Sequence, residues 1–239
     1  MIDIHNHSLY GVDDGARTID DSISMLKYAK EQGINAVVLT PHYRHGMFPY
    51  PKDTIMSHFE KLKKEVADFG IDIYLGCEYH VNSEMIEAFR SGRCETLAGG
   101  DYVLTEYSHE TEYSYIVKNT RELMMCGYIP VIAHVERYGC LFSKPSNCAE
   151  LQNLGAMIQI NADSVLGLDG RGVERFTKKM LKHQWVDIIA SDAHDMKERV
   201  NNLGQCRALV EKKYGAEYAY RLFCRNPKKV MEHITIENE

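Results

Sequence analysis

The sequence predicts an α/β fold built from parallel strands. Short apolar runs alternate with amphipathic segments along most of the chain, and each run has the length of one buried strand. Seven such runs precede a mainly helical tail that begins near Val200. Regular alternation of strands and helices indicates βα units with parallel pairing. A seven- or eight-stranded βα barrel accounts best for this count, and an open doubly wound sheet is the alternative.

The first strand carries Ile2 and Ile4 and ends in two histidines, His5 and His7. Because side chains alternate between the faces of a strand, both imidazoles are expected to point to the same side. Imidazole is the commonest side-chain ligand of transition metals, so the pair is a candidate for one side of a metal site. Surface or core histidines would give the same pattern, and the later strands must decide between the two readings.

The first helix is predicted to begin at Thr18, because Asp21 stands where a capping box carries its acidic or amide residue. This helix is predicted to end at Gly33, because glycine readily takes the left-handed conformation that commonly follows a helix. The remaining helices are predicted at 54–69, at 83–89, before Cys126, at 148–154 and at 173–183. The remaining strands are predicted at 36–40, 71–75, 102–104, 130–133, 157–160 and 186–190.

Composition limits the function. No linker or low-complexity run divides the 239 residues, which favours one domain over residues 1–239. No apolar run approaches a membrane span and no signal-peptide pattern opens the chain, so a cytoplasmic protein without membrane insertion is expected. A net charge of −6 argues against general nucleic-acid binding. The seven cysteines include no C-x-x-C pair and are expected to be reduced thiols.

Metal-binding side chains follow nearly every predicted strand. In βα folds the residues at the carboxyl ends of the strands build the active site, so these side chains are expected to meet at one rim. Mixed nitrogen and oxygen ligation without cysteine suits Mn, Fe, Zn or Co, and the number of ligands suffices for two or three divalent cations. Such a site would attract a phosphate dianion. The candidate ligands are His5, His7, Asp14, His42, Glu78, Glu106, His134, Asp192 and His194.

Several motifs together resemble the polymerase-and-histidinol-phosphatase (PHP) superfamily. Within it they are most similar to the manganese-dependent protein-tyrosine phosphatases of bacterial capsule and exopolysaccharide operons, the CpsB type. The resemblance runs in order from Met1 to about Arg199, and residues after about Asn201 carry no usable motif. The motifs are His5-x-His7, Val12-Asp13-Asp14-Gly15, Thr40-Pro41-His42-Tyr43-Arg44, Gly46-Met47-Phe48, Glu78, His134-Val135-Glu136-Arg137-Tyr138 and Ser191-Asp192-Ala193-His194.

The resemblance implies a distorted (β/α)7 TIM-like barrel, the PHP fold, with three metal ions at its carboxyl rim. Manganese is favoured, with Fe, Zn, Co or Mg as alternatives. Asp13 is an alternative to Asp14, because loop spacing does not separate the two. The implied sets are His5, His7, Glu78 and Asp192 for the first ion, Glu78, Glu106 and His134 for the second, and Asp14, His42 and His194 for the third.

The implied chemistry is metal-assisted hydrolysis of a phosphomonoester. Arg137 and Arg199 match arginines that the family uses to hold the phosphoryl oxygens, in keeping with the guanidinium fork. A metal-activated water attacks phosphorus, and His42, Asp192 or another water protonates the leaving group. No cysteine has an arginine six residues later, which disfavours a cysteine phosphatase, and no Walker motif indicates ATP binding.

By resemblance, the substrate is phosphotyrosine on the tyrosine-rich tail of a cognate bacterial tyrosine kinase, and its hydrolysis regulates polysaccharide synthesis. Residues 43–51 follow His42 and are a candidate wall for an aryl phosphate, or an ordinary βα loop. Three alternatives stay open: a PHP phosphatase for a small ester such as histidinol phosphate, an amidohydrolase, and a non-catalytic metal-binding module. The amidohydrolase is disfavoured because no lysine ends a strand where a carboxylated bridge is needed. The oligomeric state is left open.

Overall fold

The computed structural model describes residues 1–232. All the ladders between its strands are parallel, which confirms the predicted α/β class. The strands are β1 (Ile2–Asn6), β2 (Ala36–Leu39), β3 (His42–Tyr43), β4 (Asp72–Leu75), β5 (Glu78–His80), β6 (Tyr102–Glu106), β7 (Ile129–Ile132), β8 (Met157–Asn161) and β9 (Ile188–Ala190).

The strands pair into two sheets, with orders β1-β2-β4 and β3-β5-β6-β7-β8-β9. Two predicted strands are each interrupted by two residues: Thr40 and Pro41 separate β2 from β3, and Gly76 and Cys77 separate β4 from β5. The chain therefore passes from the first sheet into the second at both places. On the other side, a parallel bridge between Asn6 and Ala193 joins β1 to the segment after β9. The two sheets are thus connected at both edges around a common centre.

Helices follow the strands as the alternation predicts. The capping box at Thr18 and Asp21 is confirmed, and Gly33 follows the first helix with φ +84°, a left-handed conformation that suits glycine. The helices are α1 (Ile19–Glu31), α2 (Lys52–Glu65), α3 (Met85–Arg90), α4 (Tyr113–Met125), α5 (Gly139–Ser143), α6 (Asn147–Asn153), α7 (Ala162–Leu166), α8 (Arg171–Lys182), α9 (Leu203–Tyr214), α10 (Ala216–Tyr220) and α11 (Asn226–Met231).

Some boundaries differ from the sequence prediction. The helix predicted at 54–69 ends at Glu65, and a separate 3₁₀ turn, Ala67–Phe69, continues to Gly70. The last strand begins at Ile188 rather than at residue 186. The short helices α5 and α7 were not predicted, since five residues are too few to show helical periodicity. None of the helices within residues 1–232 has the length and apolar character of a membrane-spanning segment.

The helical tail closes the end of the molecule opposite the strand carboxyl ends. A π-helical segment, Arg221–Arg225, links α10 to α11 and packs against β9 and β1. Val230 of α11 is fully buried in an apolar cluster with Ile4, Leu104 and Ile188, which are side chains of β1, β6 and β9. The tail, for which the sequence offered no role, therefore completes the core beneath the sheets.

We expect Val230→Ala to lower the free energy of unfolding by about 1–3 kcal/mol, because it leaves a cavity in a closed apolar cluster. Urea denaturation followed by circular dichroism measures the change. Met125→Ala, at a side chain that is 87% exposed, is the control and should change stability by less than about 0.5 kcal/mol. An unchanged midpoint for Val230→Ala would show that the tail does not contribute to the core.

Candidate metal centre

The strand carboxyl ends bring all nine candidate ligands together. Most of them are buried: His5, His7 and Glu78 have no exposed surface, and Asp192 is 3% exposed. The side chain of Asp14 is half exposed and lies at the mouth of the site. The other candidates are His42, Glu106, His134 and His194, which are buried or half-buried.

The first predicted set converges as expected from the first strand. The Nε2 atoms of His5 and His7 lie 3.1 Å and 3.2 Å from Oε2 of Glu78. They lie 3.3 Å and 3.5 Å from Oδ1 of Asp192. One ligand atom from each of the four residues falls within 4.8 Å of the others. This spacing suits ligands that each stand about 2.0–2.3 Å from one cation.

The second predicted set has a somewhat different membership. His134 Nε2 lies 2.8 Å from Glu78 Oε1, so these two side chains meet as expected. The group that contains Glu106, however, combines it with Glu78 and His42, whose Nδ1 lies 3.0 Å from Glu78 Oε2. Glu78 thus stands between the first and second sets, where a bridging carboxylate is expected. The assignment of Glu106 and His134 to one ion stays a prediction.

The third predicted set gathers at the mouth. Asp14 Oδ1 lies 3.4 Å from His42 Nε2 and 3.5 Å from His194 Nε2, and His7 joins the same group. Asp13 points elsewhere: its carboxylate lies 2.9 Å from His7 Nδ1 and accepts the backbone N–H groups of Gly15 and His42. The geometry therefore favours Asp14 as the ligand and Asp13 as the group that orients His7.

Gly15 allows this loop to fold back on the first strand. A Cβ at this position would stand 2.1 Å from the carbonyl oxygen of His7 and 2.7 Å from its Cβ. The same carbonyl accepts the N–H of Ala16 at 3.0 Å. The glycine in the Asp13-Asp14-Gly15 motif is thus required by the close approach of two backbones, which sets both aspartates beside His7.

Two polar side chains of β8 support the ligands, and sequence reasoning missed them. Gln159 Oε1 lies 3.1 Å from His5 Nδ1 and also accepts the backbone N–H of His134. Gln159 Nε2 donates to Asn161, whose Nδ2 donates to Asp192 Oδ2 at 2.8 Å. The bond to Gln159 places the ring proton of His5 on Nδ1, which leaves Nε2 free for a cation. The sequence did carry a signal for this support, because Gln159 and Asn161 are polar residues two positions apart in an otherwise apolar strand.

Two candidate ligands have left-handed backbone conformations. His134 has φ +32° after β7, and Asp192 has φ +54° after β9. Such conformations are costly for residues with a Cβ and persist where the surroundings hold them. His194 shows one such constraint: its Nδ1 lies 2.9 Å from the Asp192 carbonyl, to which it donates, so that Nε2 faces the site. The strained ends of β7 and β9 aim both side chains inward.

Buried polar atoms without a hydrogen-bond partner mark the same centre. In residues 1–232 these atoms include Nε2 of His5, His7 and His194. They also include Oε2 of Glu78 and of Glu106. Buried polar groups are ordinarily paired, and a set of unpaired nitrogen and oxygen donors aimed at common points is what divalent cations require. The donors present therefore fit Mn²⁺ or a similar ion.

The carboxylates of the centre are held ionised. Burial raises the pKa of Glu78, but the charge of His5 and a hydrogen bond with His134 oppose it, and the pKa lies well below its usual value. Asp192 behaves alike: burial is opposed by the charges of His5 and Arg137, and the pKa falls well below normal. Glu106 differs, since burial and the charge of Glu78 raise its pKa to about 7.

The imidazoles differ in their protonation. Burial lowers the pKa of His42 to about 4, and burial together with the charge of Arg137 lowers that of His134 to about 4. Both rings are therefore neutral at pH 7, the form that binds metals. For His7 burial is outweighed by the charge of Asp13, which raises the pKa to about 10. The carboxylates thus retain a proton on His7, and a cation bound there would replace it.

Both predicted arginines contact the outer oxygen of Asp192. Arg137 Nη2 lies 2.9 Å and Arg199 Nη2 lies 2.7 Å from Oδ2. Their side chains are 45% and 36% exposed, so both guanidinium groups also reach the mouth of the site. The Arg137 carbonyl lies close to His109 Nδ1, and Asp195 accepts the N–H of Arg199. Each arginine is therefore anchored by its backbone beside the ligands.

The loop after His42 forms a wall of the centre. Arg44 and Phe48 pair in an antiparallel bridge, and the Phe48 ring stacks on His42 with centroids 5.1 Å apart.

Cysteines take no part in the ligand groups: all seven are free thiols within residues 1–232. Cys77, next to Glu78, packs in the outer apolar core, and burial raises its pKa well above normal.

Comparison with known proteins identifies the relatives. The family model for capsular polysaccharide synthesis, CpsB/CapC, matches residues 1–232. The chain is 34% identical over 239 residues to the tyrosine-protein phosphatase CpsB of Streptococcus pneumoniae, covering 97% of this chain and 98% of that protein. It is 30% identical over 238 residues to the tyrosine-protein phosphatase YwqE of Bacillus subtilis, covering 99% and 93%.

Solved structures give the same relatives. A chain from the crystal structures of YwqE from Bacillus subtilis and CpsB from Streptococcus pneumoniae, two metal-dependent tyrosine phosphatases, matches with a TM-score of 0.93 at 30% identity, covering 100% of this chain and 97% of that chain. An organophosphorus hydrolase from Deinococcus radiodurans matches with a TM-score of 0.63 at 12% identity, covering 96% and 92%. That second likeness shows the fold alone. Such neighbours have TIM-barrel-type folds, which confirms the predicted barrel-like architecture, although the described strands pair into two sheets.

We expect Gly15→Ala to weaken manganese binding by about tenfold to a hundredfold, because the added methyl group displaces the loop that holds Asp13 and Asp14. Calorimetric titration with MnCl2 of protein treated with chelator measures the affinity, and circular dichroism verifies folding. Gly172→Ala is the matched control, since a Cβ there meets only an ordinary contact at 3.8 Å. Equal affinity of Gly15→Ala and wild type would contradict the role given to this loop.

Proposed function

Because the chain belongs to the CpsB/CapC capsular polysaccharide synthesis family, we propose that it is a metal-dependent protein-tyrosine phosphatase. The observation that carries this proposal is the meeting of nine nitrogen- and oxygen-bearing ligands at one rim, with two arginines beside them. Cations and guanidinium groups together form the surroundings that a phosphate dianion requires. Two relatives named as tyrosine phosphatases align with 97% and 99% of this chain.

Two or three divalent cations are proposed as cofactors, with manganese preferred. His5, His7, Glu78 and Asp192 would hold the first ion. Glu78, Glu106 and His134 would hold the second, and Asp14, His42 and His194 the third. When bound, such cations supply Lewis acidity that activates water and offsets charge on the phosphoryl oxygens.

The protein's own groups position the substrate. We assign Arg137 and Arg199 to the phosphoryl oxygens, since both stand at the mouth with N–H groups left over after the contact with Asp192. The geometry supports ligand roles for Asp192 and His42 better than proton donation. Asp192 is kept ionised by the neighbouring positive charges, and both ring nitrogens of His42 face carboxylates.

The proposed substrate is phosphotyrosine in a protein, with the tail of a bacterial tyrosine kinase as the partner and polysaccharide synthesis as the regulated process. The Phe48 wall beside His42 supports an aryl ester as substrate. We also propose that residues 1–239 form one domain and that it works in the cytoplasm. Seven free thiols are typical of a reducing compartment.

We expect His5→Ala and Asp192→Ala to lower kcat/KM for a phosphotyrosyl peptide by at least about a hundredfold, with a matching loss of bound manganese. Steady-state hydrolysis in manganese buffer and elemental analysis of the same samples measure both effects. His183→Ala is the matched control, because His183 is an exposed residue directly after α8 that stacks on Trp185.

The outcomes separate the competing functions. Full activity of His5→Ala would refute the ligand assignment. A higher kcat/KM for histidinol phosphate than for phosphotyrosyl peptides would indicate a small-ester phosphatase. Manganese binding without hydrolysis of any aryl phosphate would indicate a non-catalytic module. Loss of turnover in cysteine-to-serine variants that retain their metal would indicate a thiol mechanism.

A further inference from the structure

A cavity of about 870 Å³ opens beside the metal centre. Glu106, His134 and Arg137 of the metal centre are among the residues that line it. Pockets of this volume accept ligands much larger than a phosphoryl group. The cavity therefore has room for the phosphorylated side chain and for neighbouring residues of a peptide. Its walls should decide which peptides bind.

The walls of the cavity are aromatic. Tyr107 and Tyr138 are buried with their rings edge to face, at a centroid distance of 5.8 Å. Tyr138 holds this wall to the strand end, because its hydroxyl accepts the backbone N–H of Tyr107. Phe142 is 40% exposed and stacks on Phe176 at 5.2 Å. These surfaces suit a phenyl ring, but they do not distinguish between peptide sequences, since aromatic contacts tolerate many neighbours.

Arg44 is the cation that lines this cavity without an acidic partner. Arg137 contacts Asp192, whereas within residues 1–232 no carboxylate oxygen lies within ion-pair distance of the Arg44 guanidinium. Arg44 is half-buried, and its backbone is fixed by two hydrogen bonds with Phe48, of 2.9 Å and 2.8 Å. A charged side chain on a fixed turn, facing a cavity and lacking a partner, is available to a ligand.

The carboxylates that line the cavity together with Arg44 have other partners or roles. Glu136 is buried and accepts a backbone N–H group. Glu106 belongs to a candidate ligand group, so its own charge is directed to a cation. Asp169, the exposed carboxylate among the lining residues, accepts the hydroxyl of Ser164 on α7 at 2.6 Å. With these carboxylates engaged elsewhere, the Arg44 guanidinium is available to an acidic ligand.

We propose that Arg44 forms a specificity subsite that binds an acidic side chain next to the phosphotyrosine of a peptide substrate. This assignment rests on the proposed phosphatase function and narrows its substrate to acidic phosphotyrosyl segments. The phenyl ring lies against the aromatic wall, the phosphoryl group lies at the metal centre beside Arg137, and a glutamate or aspartate of the peptide meets Arg44. A carboxylate is the group that a guanidinium fork recognises in a peptide.

The test compares two phosphotyrosyl peptides that differ only in carrying Glu or Gln at the two positions on each side of the phosphotyrosine. We expect the wild type to prefer the Glu peptide by about fivefold or more in kcat/KM at low salt, and the ratio to shrink as salt screens the charges. In Arg44→Gln the ratio should fall to about one, mainly through KM. Arg93→Gln is the matched control, since Arg93 is exposed and pairs with Glu84 away from the cavity.

A second measurement separates this proposal from the phosphatase function. Peptides with a non-hydrolysable difluoromethylphosphonate in place of the phosphate report binding by calorimetry without turnover. In Arg44→Gln the Kd values for the Glu and Gln peptides should become about equal, while the manganese content stays at the wild-type value. If no phosphotyrosyl substrate is hydrolysed but this ratio behaves as stated, the proposed activity fails and the subsite stands.

Three results would overturn the subsite. The first is that the wild type shows no preference for the Glu peptide in either assay. The second is that Arg44→Gln keeps the wild-type preference. The third is that Asp169→Asn abolishes the preference as fully as Arg44→Gln does. Asp169→Asn removes a negative charge from the same cavity, so this result would indicate a change of cavity shape rather than the loss of one charge.

Discussion

One buried carboxylate surrounded by imidazoles is the constraint on which the centre depends. Glu78 has no exposed surface, and ring nitrogens of His5, His7, His42 and His134 lie between 2.8 Å and 3.2 Å from its two oxygens. Burying a charged carboxylate is costly unless it is paired. The four rings come from three segments, the end of β1, the start of β3 and the turn after β7, so the arrangement requires all these segments in register at once.

The sequence predicted the parts of this arrangement that local pattern controls. Apolar runs placed the strands, and the polar residue after each run placed the ligands at one rim. The breaks at Thr40-Pro41 and Gly76-Cys77, which carry His42 and Glu78 into the second sheet, were not predictable, because pairing partners are set by distant residues. The sequence alone also could not separate the roles of Asp13 and Asp14, because the side chains of neighbouring loop residues can point in opposite directions.

The groups that support the ligands were the least visible in the sequence. Gln159 and Asn161 lie in an otherwise apolar strand, and only their contacts with His5 and Asp192 reveal what they do. Gly15 is likewise explained by the backbone of His7, eight residues earlier. Tertiary contacts fix these roles, whereas strand periodicity is a property of the local chain. The aromatic cavity and the unpaired Arg44 are assembled in the same way, from loops that no periodic pattern links.

The most direct test of the account is anomalous diffraction at the manganese edge from crystals of the wild-type protein and of Glu78→Gln grown with MnCl2. We expect at least two anomalous peaks in the wild type, one among His5, His7, Glu78 and Asp192 and one among Asp14, His42 and His194. We also expect the first peak to be lost in Glu78→Gln, because an amide is a much poorer ligand than a carboxylate. Peaks at other places, or full occupancy of the first position without the Glu78 carboxylate, would contradict the account.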